Sequence, residues 1–339
     1  MKNVKLIFIV PVLLIFAGCN INNNVELTTD DFGITEVESE VYESTTTPSP
    51  DYIETEETTN NVVVGNTDST DMCFYGKNTG TTATITGLEP LQLIDFSGFS
   101  LIGYDEFSKE MLSHGYGVAQ NQIPHDISIY NQKFFDENNF DAICLDDIPD
   151  QKKLYLTFDC GYENGYTGII LDILKEKNVP AAFFCTLPQV KGNPELIARM
   201  INEGHIVGNH SVTHPDFSSL NPDEIVKEIQ GFDDYIRENF GYSSLYFRYP
   251  QGKYSQMSTF VINKLGYSCV FWSLAYADWD VENPKGASYA YETVMSRMHP
   301  GAVILLHAVS PDNAGALADI IDSARQMGYV FVSLDEFRK

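Results

Sequence analysis

The sequence predicts an α/β fold in which a largely parallel sheet closes into a distorted (β/α) barrel of about seven strands. Seven short apolar runs occur from Lys152 onward, amphipathic helical segments separate most of them, and the two alternate regularly. Strands that alternate with helices pair in parallel, because each helix carries the chain back across the sheet. The runs cover residues 154–158, 181–185, 205–208, 245–248, 267–271, 303–306 and 329–332.

The helical segments between the runs repeat apolar residues at a spacing of three or four. In residues 222–240, for example, Ile225, Ile229 and Ile236 fall on one face. Residues 195–201 and 314–327 show the same pattern. Each segment therefore has one apolar stripe, which can pack against the predicted sheet.

The charge of the chain excludes one class of partner. The 339 residues include 47 Asp and Glu against 21 Lys and Arg, which gives a formal net charge of −26. This balance disfavours nucleic-acid binding through a basic surface. Residues 20–70 contain 12 of the acids and no Lys or Arg, and they are rich in Thr, Asn, Ser and Pro. We expect residues 20–70 to form a disordered acidic Thr/Glu-rich linker, because they bury too little apolar surface to fold.

Residues 1–19 have the pattern of a bacterial signal peptide with a lipidation site. Lys2 and Lys5 precede an apolar stretch at 6–16, and Ala17-Gly18-Cys19 follows it. This ending resembles the lipoprotein box, in which the cysteine is lipidated and becomes the new N-terminus. A transmembrane helix is the alternative, but the stretch is short and has no basic flank after it. We expect a monomer that is anchored through Cys19 to the extracellular face of the cell membrane.

Residues 71–150 are expected to form an N-terminal extension that packs on the main domain, residues 151–339. Residues 107–112 suggest a helix within this extension. The cysteines other than Cys19 show no spacing typical of a disulfide framework. Cys185 and Cys269 end apolar runs and are interpreted as small buried hydrophobic residues.

Polar residues follow three of the predicted strands and are candidates for a catalytic site. Asp159 ends the run 154–158 and is followed by glycines, His210 and His214 follow the run 205–208, and His307 ends the run 303–306. Catalytic groups of alternating strand–helix proteins usually lie at the carboxyl ends of strands. We therefore expect these segments to converge on one metal-assisted hydrolytic site.

Each candidate also has a simpler interpretation. A four-residue spacing on a helical turn would place His210 and His214 on one face, as in metal sites, but both could be exposed or capping residues. Asp159 could be a metal ligand, a general base or a turn cap. His307 could be an acid catalyst or a hydrogen-bonded core residue. Arg248 ends another apolar run and needs an acidic partner or solvent, and Asp159 is the obvious partner.

Five segments then match, in order, the motifs of a known family. They are Thr157-Phe158-Asp159-Cys160-Gly161, His210-Ser211-Val212-Thr213-His214, Arg248-Tyr249-Pro250-Gln251-Gly252, Ala275-Tyr276-Ala277-Asp278-Trp279 and Leu305-Leu306-His307. Residues 152–337 resemble the polysaccharide deacetylases of carbohydrate esterase family four, the NodB-homology domain. Sequence around these motifs is similar to the delta-lactam-biosynthetic de-N-acetylases, which remove acetyl groups from muramic acid residues of peptidoglycan.

The resemblance implies a metal-dependent site. A divalent metal, usually zinc in the family, would be held by His210 and His214, with Asp159 as the base, His307 as the acid and Arg248 orienting the base.

The resemblance also implies that Trp279 and Leu305 line the acetyl pocket, and Tyr249 and Asp278 are further candidates for substrate binding.

Two positions depart from the family pattern. The family's third metal ligand is an Asp where this chain has Cys160, so either the Cys160 thiolate binds the metal or Asp159 does. The family's Asp partner of the catalytic histidine is assigned to the position of Ala275, which leaves His307 without an identified partner.

The sequence therefore predicts a de-N-acetylase that acts on peptidoglycan, with N-acetylmuramic acid as the expected target. A deacetylase of chitin-type or other N-acetylglucosamine polymers is one alternative, and a non-catalytic cell-wall glycan-binding lipoprotein is another.

Overall fold

The structure, a computed structural model, describes residues 102–147, 151–243 and 245–337. The expected signal peptide with Cys19, the linker 20–70 and the first part of the extension lie outside these residues. The helices in the described ranges are α1 (Asp126–Glu137), α2 (Thr167–Lys177), α3 (Leu187–Gly192), α4 (Pro194–Asn202), α5 (Pro222–Phe240), α6 (Gln256–Lys264), α7 (Ala287–Arg297) and α8 (Pro311–Gln326). None of these helices is long and apolar enough to cross a membrane.

The strands form one large parallel sheet and one small antiparallel pair. They are β1 (Leu112–Ser113), β2 (Ala142–Ile143), β3 (Lys153–Cys160), β4 (Ala182–Cys185), β5 (Ile206–Asn209), β6 (Tyr246–Phe247), β7 (Lys253–Tyr254), β8 (Ser268–Val270), β9 (Ala302–His307) and β10 (Val330–Phe331). The large sheet has the order β10-β3-β4-β5-β6-β8-β2, and β9 also pairs with β3. β1 and β7 form the small pair.

The large sheet curls into a distorted barrel, which confirms the predicted fold class. β9 lies along β3 from Leu154–Ala302 to Asp159–His307. Beyond β8, Leu274 forms a parallel bridge to Ile304 of β9 and brings the two ends of the sheet together. All seven predicted runs contribute strands, and β2 adds one from the segment that precedes them.

Side chains of β3 alternate between two cores, and this alternation decides which residues can reach the site. Leu156 and Phe158 pack in the apolar layer between the sheet and helices such as α2 and α8. Tyr155 packs instead in the barrel interior with residues such as Phe184 and Val303. Because neighbouring strand residues face opposite sides, Asp159 faces the interior and Cys160 faces the helix layer.

The segment before β3 lies against the barrel. The amide of Gln132 in α1 accepts hydrogen bonds from the backbone of Cys144 and Leu145 and donates one to Ala142 O (3.0 Å). Leu112 of β1 pairs with Tyr254 of β7. The expected helix at 107–112 was wrong: this stretch is extended apart from a short 3-10 turn before it, because it pairs with other parts of the chain instead of itself.

Gly208 of β5 makes room for an aromatic ring beside the site. A Cβ atom at this position would lie 2.5 Å from Cδ1 and 2.6 Å from Cε1 of Phe184. The Phe184 ring in turn lies 4.2 Å from the guanidinium carbon of Arg248. A side chain at 208 would therefore displace the ring on which Arg248 rests.

We predict that Gly208→Ala lowers the free energy of unfolding by about 1–3 kcal/mol, the usual cost of overpacking a core. Urea unfolding of the purified protein measures this change. Gly168→Ala is the matched control, because it lies in α2 with its nearest contact at 3.9 Å. The control should be neutral or stabilising by up to about 1 kcal/mol, and equal behaviour of the two variants would contradict the prediction.

Candidate active site

Four predicted site residues meet at the carboxyl ends of adjacent strands. Asp159 is the penultimate residue of β3, and its register partner on β9 is His307. His210 follows β5, and Arg248 follows β6, at a point where Asn209 pairs with Phe247. The parallel topology thus gathers residues that are far apart in sequence at one edge of the barrel.

Arg248 is fully buried and holds Asp159, as expected from the sequence. Its Nη1 donates to Asp159 Oδ1 at 2.9 Å, while Nε and Nη2 donate to the carbonyls of Val270 (2.9 Å) and Phe271 (3.2 Å). These bonds fix the guanidinium at three points. The carboxylate of Asp159 is therefore oriented through Oδ1, and Oδ2 is left to face the histidines.

Asp159 is ionised despite its burial. Burial would raise the pKa of this carboxyl, but the Arg248 charge, with further contributions from His210 and His307 and the Arg248 hydrogen bond, lowers it overall. A buried carboxylate of this kind can accept a proton from a neighbouring water molecule.

The two motif histidines lie in an irregular loop after β5 and not on a helical turn. Ser211 and His214 both have positive φ angles (74° and 57°), and the Ser211 hydroxyl accepts a hydrogen bond from His214 N (2.9 Å). This conformation brings the rings of His210 and His214 to 4.9 Å between centroids. The pair still faces one point, but backbone strain and side-chain caps produce this arrangement rather than helical periodicity.

Glu228 of α5 holds this loop, and nothing in the sequence pattern distinguished it. One carboxylate oxygen accepts from the backbone nitrogens of Val212 (2.9 Å) and Thr213 (2.8 Å), and the other accepts from the Thr213 hydroxyl (2.7 Å). Glu228 is one of many acids in an amphipathic helix. Only the fold shows that it lies under the histidine loop.

Hydrogen bonding and burial keep His210 neutral and fix its tautomer. Its Nδ1 donates to Arg248 O at 2.8 Å, so Nε2 carries the lone pair, 3.6 Å from Asp159 Oδ2. Burial lowers the pKa of His210 to about 4 and also lowers the pKa of His214. Both imidazoles are therefore uncharged at neutral pH and can donate nitrogen lone pairs to a metal ion.

Cys160 does not face the histidines, which corrects the expectation that it is a metal ligand. Its side chain is fully buried in the apolar layer outside the sheet, together with its register partner Cys185. A hydrogen bond with Cys185 and burial raise the pKa of the Cys160 thiol well above its usual value. The residue is a neutral packing group, and Asp159 is the acidic residue of this motif that faces His210.

Asp278 is the partner of His307, which corrects its expected role in substrate binding. Its carboxylate accepts from His307 Nδ1 (2.7 Å) and from His307 N (2.7 Å). The Asn313 amide also donates to Asp278, while its oxygen accepts from the Tyr276 hydroxyl. These bonds leave Asp278 buried and occupied, so it positions His307 instead of touching a ligand.

His307 is prepared as a proton donor. Burial would lower the pKa of the imidazole, but the hydrogen bond and charge of Asp278, followed by the Asp159 charge, raise it overall. With Nδ1 bound to Asp278, Nε2 is the nitrogen that can deliver a proton.

The other predicted binding residues separate into two groups. Trp279 is 57% exposed, with its ring 5.6 Å from the His307 ring, and Leu305 lies on the same face of β9 as His307. Both positions are compatible with an acetyl pocket, which stays a prediction. Tyr249 is instead a core residue: it is buried, and its hydroxyl bonds Ser258 and Thr259 (both 3.1 Å), so it is not available to a ligand.

Comparison with known proteins agrees with this geometry. Residues 146–270 match the polysaccharide deacetylase family. The chain is 41% identical over 228 residues to the peptidoglycan-N-acetylmuramic acid deacetylase PdaA of Bacillus subtilis. The matched residues are 67% of this chain and 86% of the relative.

Solved structures give the same result. The structure of Bacillus subtilis PdaA, a family 4 carbohydrate esterase, matches with a TM-score of 0.65 and 40% identity, over 68% of this chain and 97% of that one. A family 4 carbohydrate esterase from Bacillus anthracis matches with a TM-score of 0.56 and 39% identity, over 68% and 97% of the two chains. This chain therefore belongs to the polysaccharide deacetylase family, and it is a de-N-acetylase.

We predict that Cys160→Ala retains turnover and any bound metal, because the thiol points away from the site. Loss of one buried sulfur should lower the free energy of unfolding by about 1 kcal/mol. Cys185→Ala, in the same apolar layer, serves as the matched control and should behave alike. A Cys160→Ala protein that is folded but has lost its metal and its activity would contradict this prediction and favour the thiolate as a metal ligand.

We further predict that Asp278→Asn moves the alkaline limb of the kcat/KM profile to lower pH. The Asp278 charge raises the pKa of His307, and His307 as the expected acid must be protonated, so removal of the charge depletes the acid form at a lower pH. Asp280→Asn, an exposed acid two residues away, is the control and should leave the limb in place. Identical profiles for the two variants and the wild type would exclude His307 as the acid.

Proposed function

We propose that this chain removes the N-acetyl group from N-acetylmuramic acid residues of peptidoglycan, and that it does so with a divalent metal, zinc being the first candidate. The observation that carries the proposal is the meeting of four groups at one edge of the barrel. An ionised carboxylate, Asp159, lies beside two neutral imidazoles, His210 and His214, and its register partner is an imidazole with a raised pKa, His307.

The residues present fit a metal of the zinc type. No group of three or more His, Cys, Asp or Glu side chains in the described ranges is already gathered as a metal cluster. In a tetrahedral zinc site, however, any two donor atoms bound at about 2.0–2.1 Å lie roughly 3.3 Å from each other. His210 Nε2 and Asp159 Oδ2 are 3.6 Å apart, so a small inward movement is sufficient. His210, His214 and Asp159 would then hold the ion through two nitrogens and one oxygen, the donor set of several catalytic zinc sites.

The chain's own residues supply the proton transfers of amide hydrolysis. A bound divalent metal would polarise the acetamide carbonyl and the attacking water. Asp159, kept ionised and oriented by Arg248, accepts the proton of that water. His307, kept protonated by Asp278, donates a proton to the amine that leaves the carbonyl carbon, so that acetate and a free amino sugar are the products.

One observation supports muramic acid as the target sugar, and another supports a sugar ligand in general. The relative that is 41% identical over 228 residues is named for its action on peptidoglycan N-acetylmuramic acid. The exposed Trp279 beside His307 offers an aromatic face of the kind on which sugar rings pack. The chitin-type alternative shares the same chemistry and differs only in the sugar that carries the acetamide.

The experiment incubates the purified protein with peptidoglycan strands that carry or lack stem peptides, and with chitin oligomers. We expect acetate release from peptidoglycan and a muramic acid product after hydrolysis of the strands. Asp159→Asn should retain its fold but turn over about 10²–10⁴-fold more slowly, because the amide cannot act as the base. A chelator should also abolish turnover, and added zinc should restore it.

The other outcomes identify the alternatives. Acetate release with glucosamine as the product would favour a deacetylase of N-acetylglucosamine polymers. Binding of the strands without acetate release would favour a non-catalytic glycan-binding lipoprotein. Full activity of Asp159→Asn would contradict the assignment of the base even if the substrate is correct.

A further inference from the structure

We propose that His114, which lies in the segment before the barrel and outside the five motifs, is a positioning residue for deacetylation. It holds Trp272 beside Arg248, and Arg248 orients Asp159. This inference rests on the proposed function of Arg248 and Asp159.

The backbone of His114 forms a hydrogen bond with the third motif. β1 pairs with β7, and His114 N donates to Gly252 O at 2.9 Å. Gly252 has φ +65°, and a Cβ atom there would lie 2.9 Å from Cη2 of Trp272 and 3.4 Å from Cβ of His114. A glycine is therefore required for the two side chains to approach the backbone that follows Arg248.

The His114 side chain contacts Trp272 through a hydrogen bond and through ring packing. It is 8% exposed, its Nε2 lies 2.7 Å from Trp272 O, and its ring packs against the rings of Phe271 (4.7 Å) and Trp272 (5.0 Å). A carbonyl oxygen only accepts hydrogen bonds, so Nε2 must carry the proton. Burial lowers the pKa of His114 to about 4, which keeps this neutral donor form over the pH range of interest.

Residues 270–272 in turn hold the guanidinium of Arg248. The carbonyls of Val270 and Phe271 accept its hydrogen bonds, and the guanidinium carbon lies 5.7 Å from the Trp272 ring. The next carbonyl along the chain is that of Trp272, and its oxygen accepts the hydrogen bond from His114. A shift of this segment would move two of the three acceptors of Arg248.

The consequence for catalysis follows from the short distance between Arg248 and Asp159. Small displacements of a catalytic group can reduce turnover by about 10²-fold without loss of the fold. His114 does not touch the proposed substrate site, so its loss should affect kcat more than KM.

The test compares His114→Phe, which keeps a ring without a donor, with His114→Gln, whose amide nitrogen can replace Nε2–H. We expect His114→Phe to lower kcat by about 10–100-fold with KM changed by less than about threefold. His114→Gln should recover most of the loss. His205→Phe is the matched control, because His205 is also buried, its pKa is also lowered to about 4, and it packs on an aromatic ring, Phe183. The control should lose stability but keep its kcat per folded molecule.

A second measurement does not depend on activity. The chain has two tryptophans, so Trp279→Phe leaves Trp272 as the only emitter. In this background His114→Phe should shift Trp272 emission and increase its quenching by acrylamide, and His114→Gln should do so less. If the wild type deacetylates no glycan, the proposed function fails while this measurement still judges the contact between His114 and Trp272. Unchanged emission in His114→Phe, or a kcat equal to that of the wild type, would overturn the inference, as would equal losses in the Phe and Gln variants.

Discussion

The buried ion pair between Arg248 and Asp159 is the interaction on which the rest of the site depends. Arg248 is fully buried and Asp159 is nearly so, and removal of one partner of such a pair costs about 3–5 kcal/mol because the other charge is left uncompensated. The fold surrounds the pair with acceptors and aromatic rings that offset the loss of water. Val270 O and Phe271 O accept hydrogen bonds from Nε and Nη2, and the ring of Phe184 lies 4.2 Å from the guanidinium carbon. The carbonyl of Arg248 itself then fixes the tautomer of His210, so one residue orients both the proposed base and a proposed metal ligand.

His307 and Asp278 show the opposite electrostatic arrangement to Asp159 and Arg248. Asp159 has a lowered pKa because a cation faces it, whereas His307 has a raised pKa because a carboxylate faces it. Groups whose environments shift their pKa values toward opposite protonation states are suited to act as base and acid at one pH. Asn313 and Tyr276 complete the arrangement, since the Asn313 amide donates to the carboxylate of Asp278 and its oxygen accepts from the Tyr276 hydroxyl. The proposed acid and the proposed base are therefore supported by separate networks, which meet where His307 of β9 pairs with Asp159 of β3.

The sequence predicted the strands well because each buried strand is a continuous apolar run, and runs of this kind do not depend on tertiary context. It also predicted the partnership of Arg248 with Asp159, because both end strands and a buried charge needs a partner. The orientation of Cys160 could have been inferred from the two-residue period of β3, which places neighbours on opposite faces. The conformation of the loop around His214 could not be inferred from the sequence. Its non-glycine residues at positive φ are held by hydrogen bonds to Ser211 and Glu228, which form only in the folded chain. The role of Asp278 was missed for a related reason: it depends on how the loop after β8 folds onto β9.

The absence of an acid at position 160 changes what Asp159 must do. In the five-motif pattern two adjacent acids divide the work of base and ligand, whereas in this chain the second position turns into the apolar layer. In the proposed mechanism both tasks fall to Asp159, whose Oδ1 is bound by Arg248 and whose Oδ2 faces His210 at 3.6 Å. A carboxylate that serves a metal and a water molecule through one oxygen must be held more firmly than one with a single task, because any rotation about its terminal bond exchanges the roles of the two oxygens. The three-point fixation of Arg248 supplies this restraint. The proposed support from His114 through Trp272 extends this restraint to the segment before the barrel, and it would give β1, a strand of only two residues, a part in a site built at the ends of the other strands.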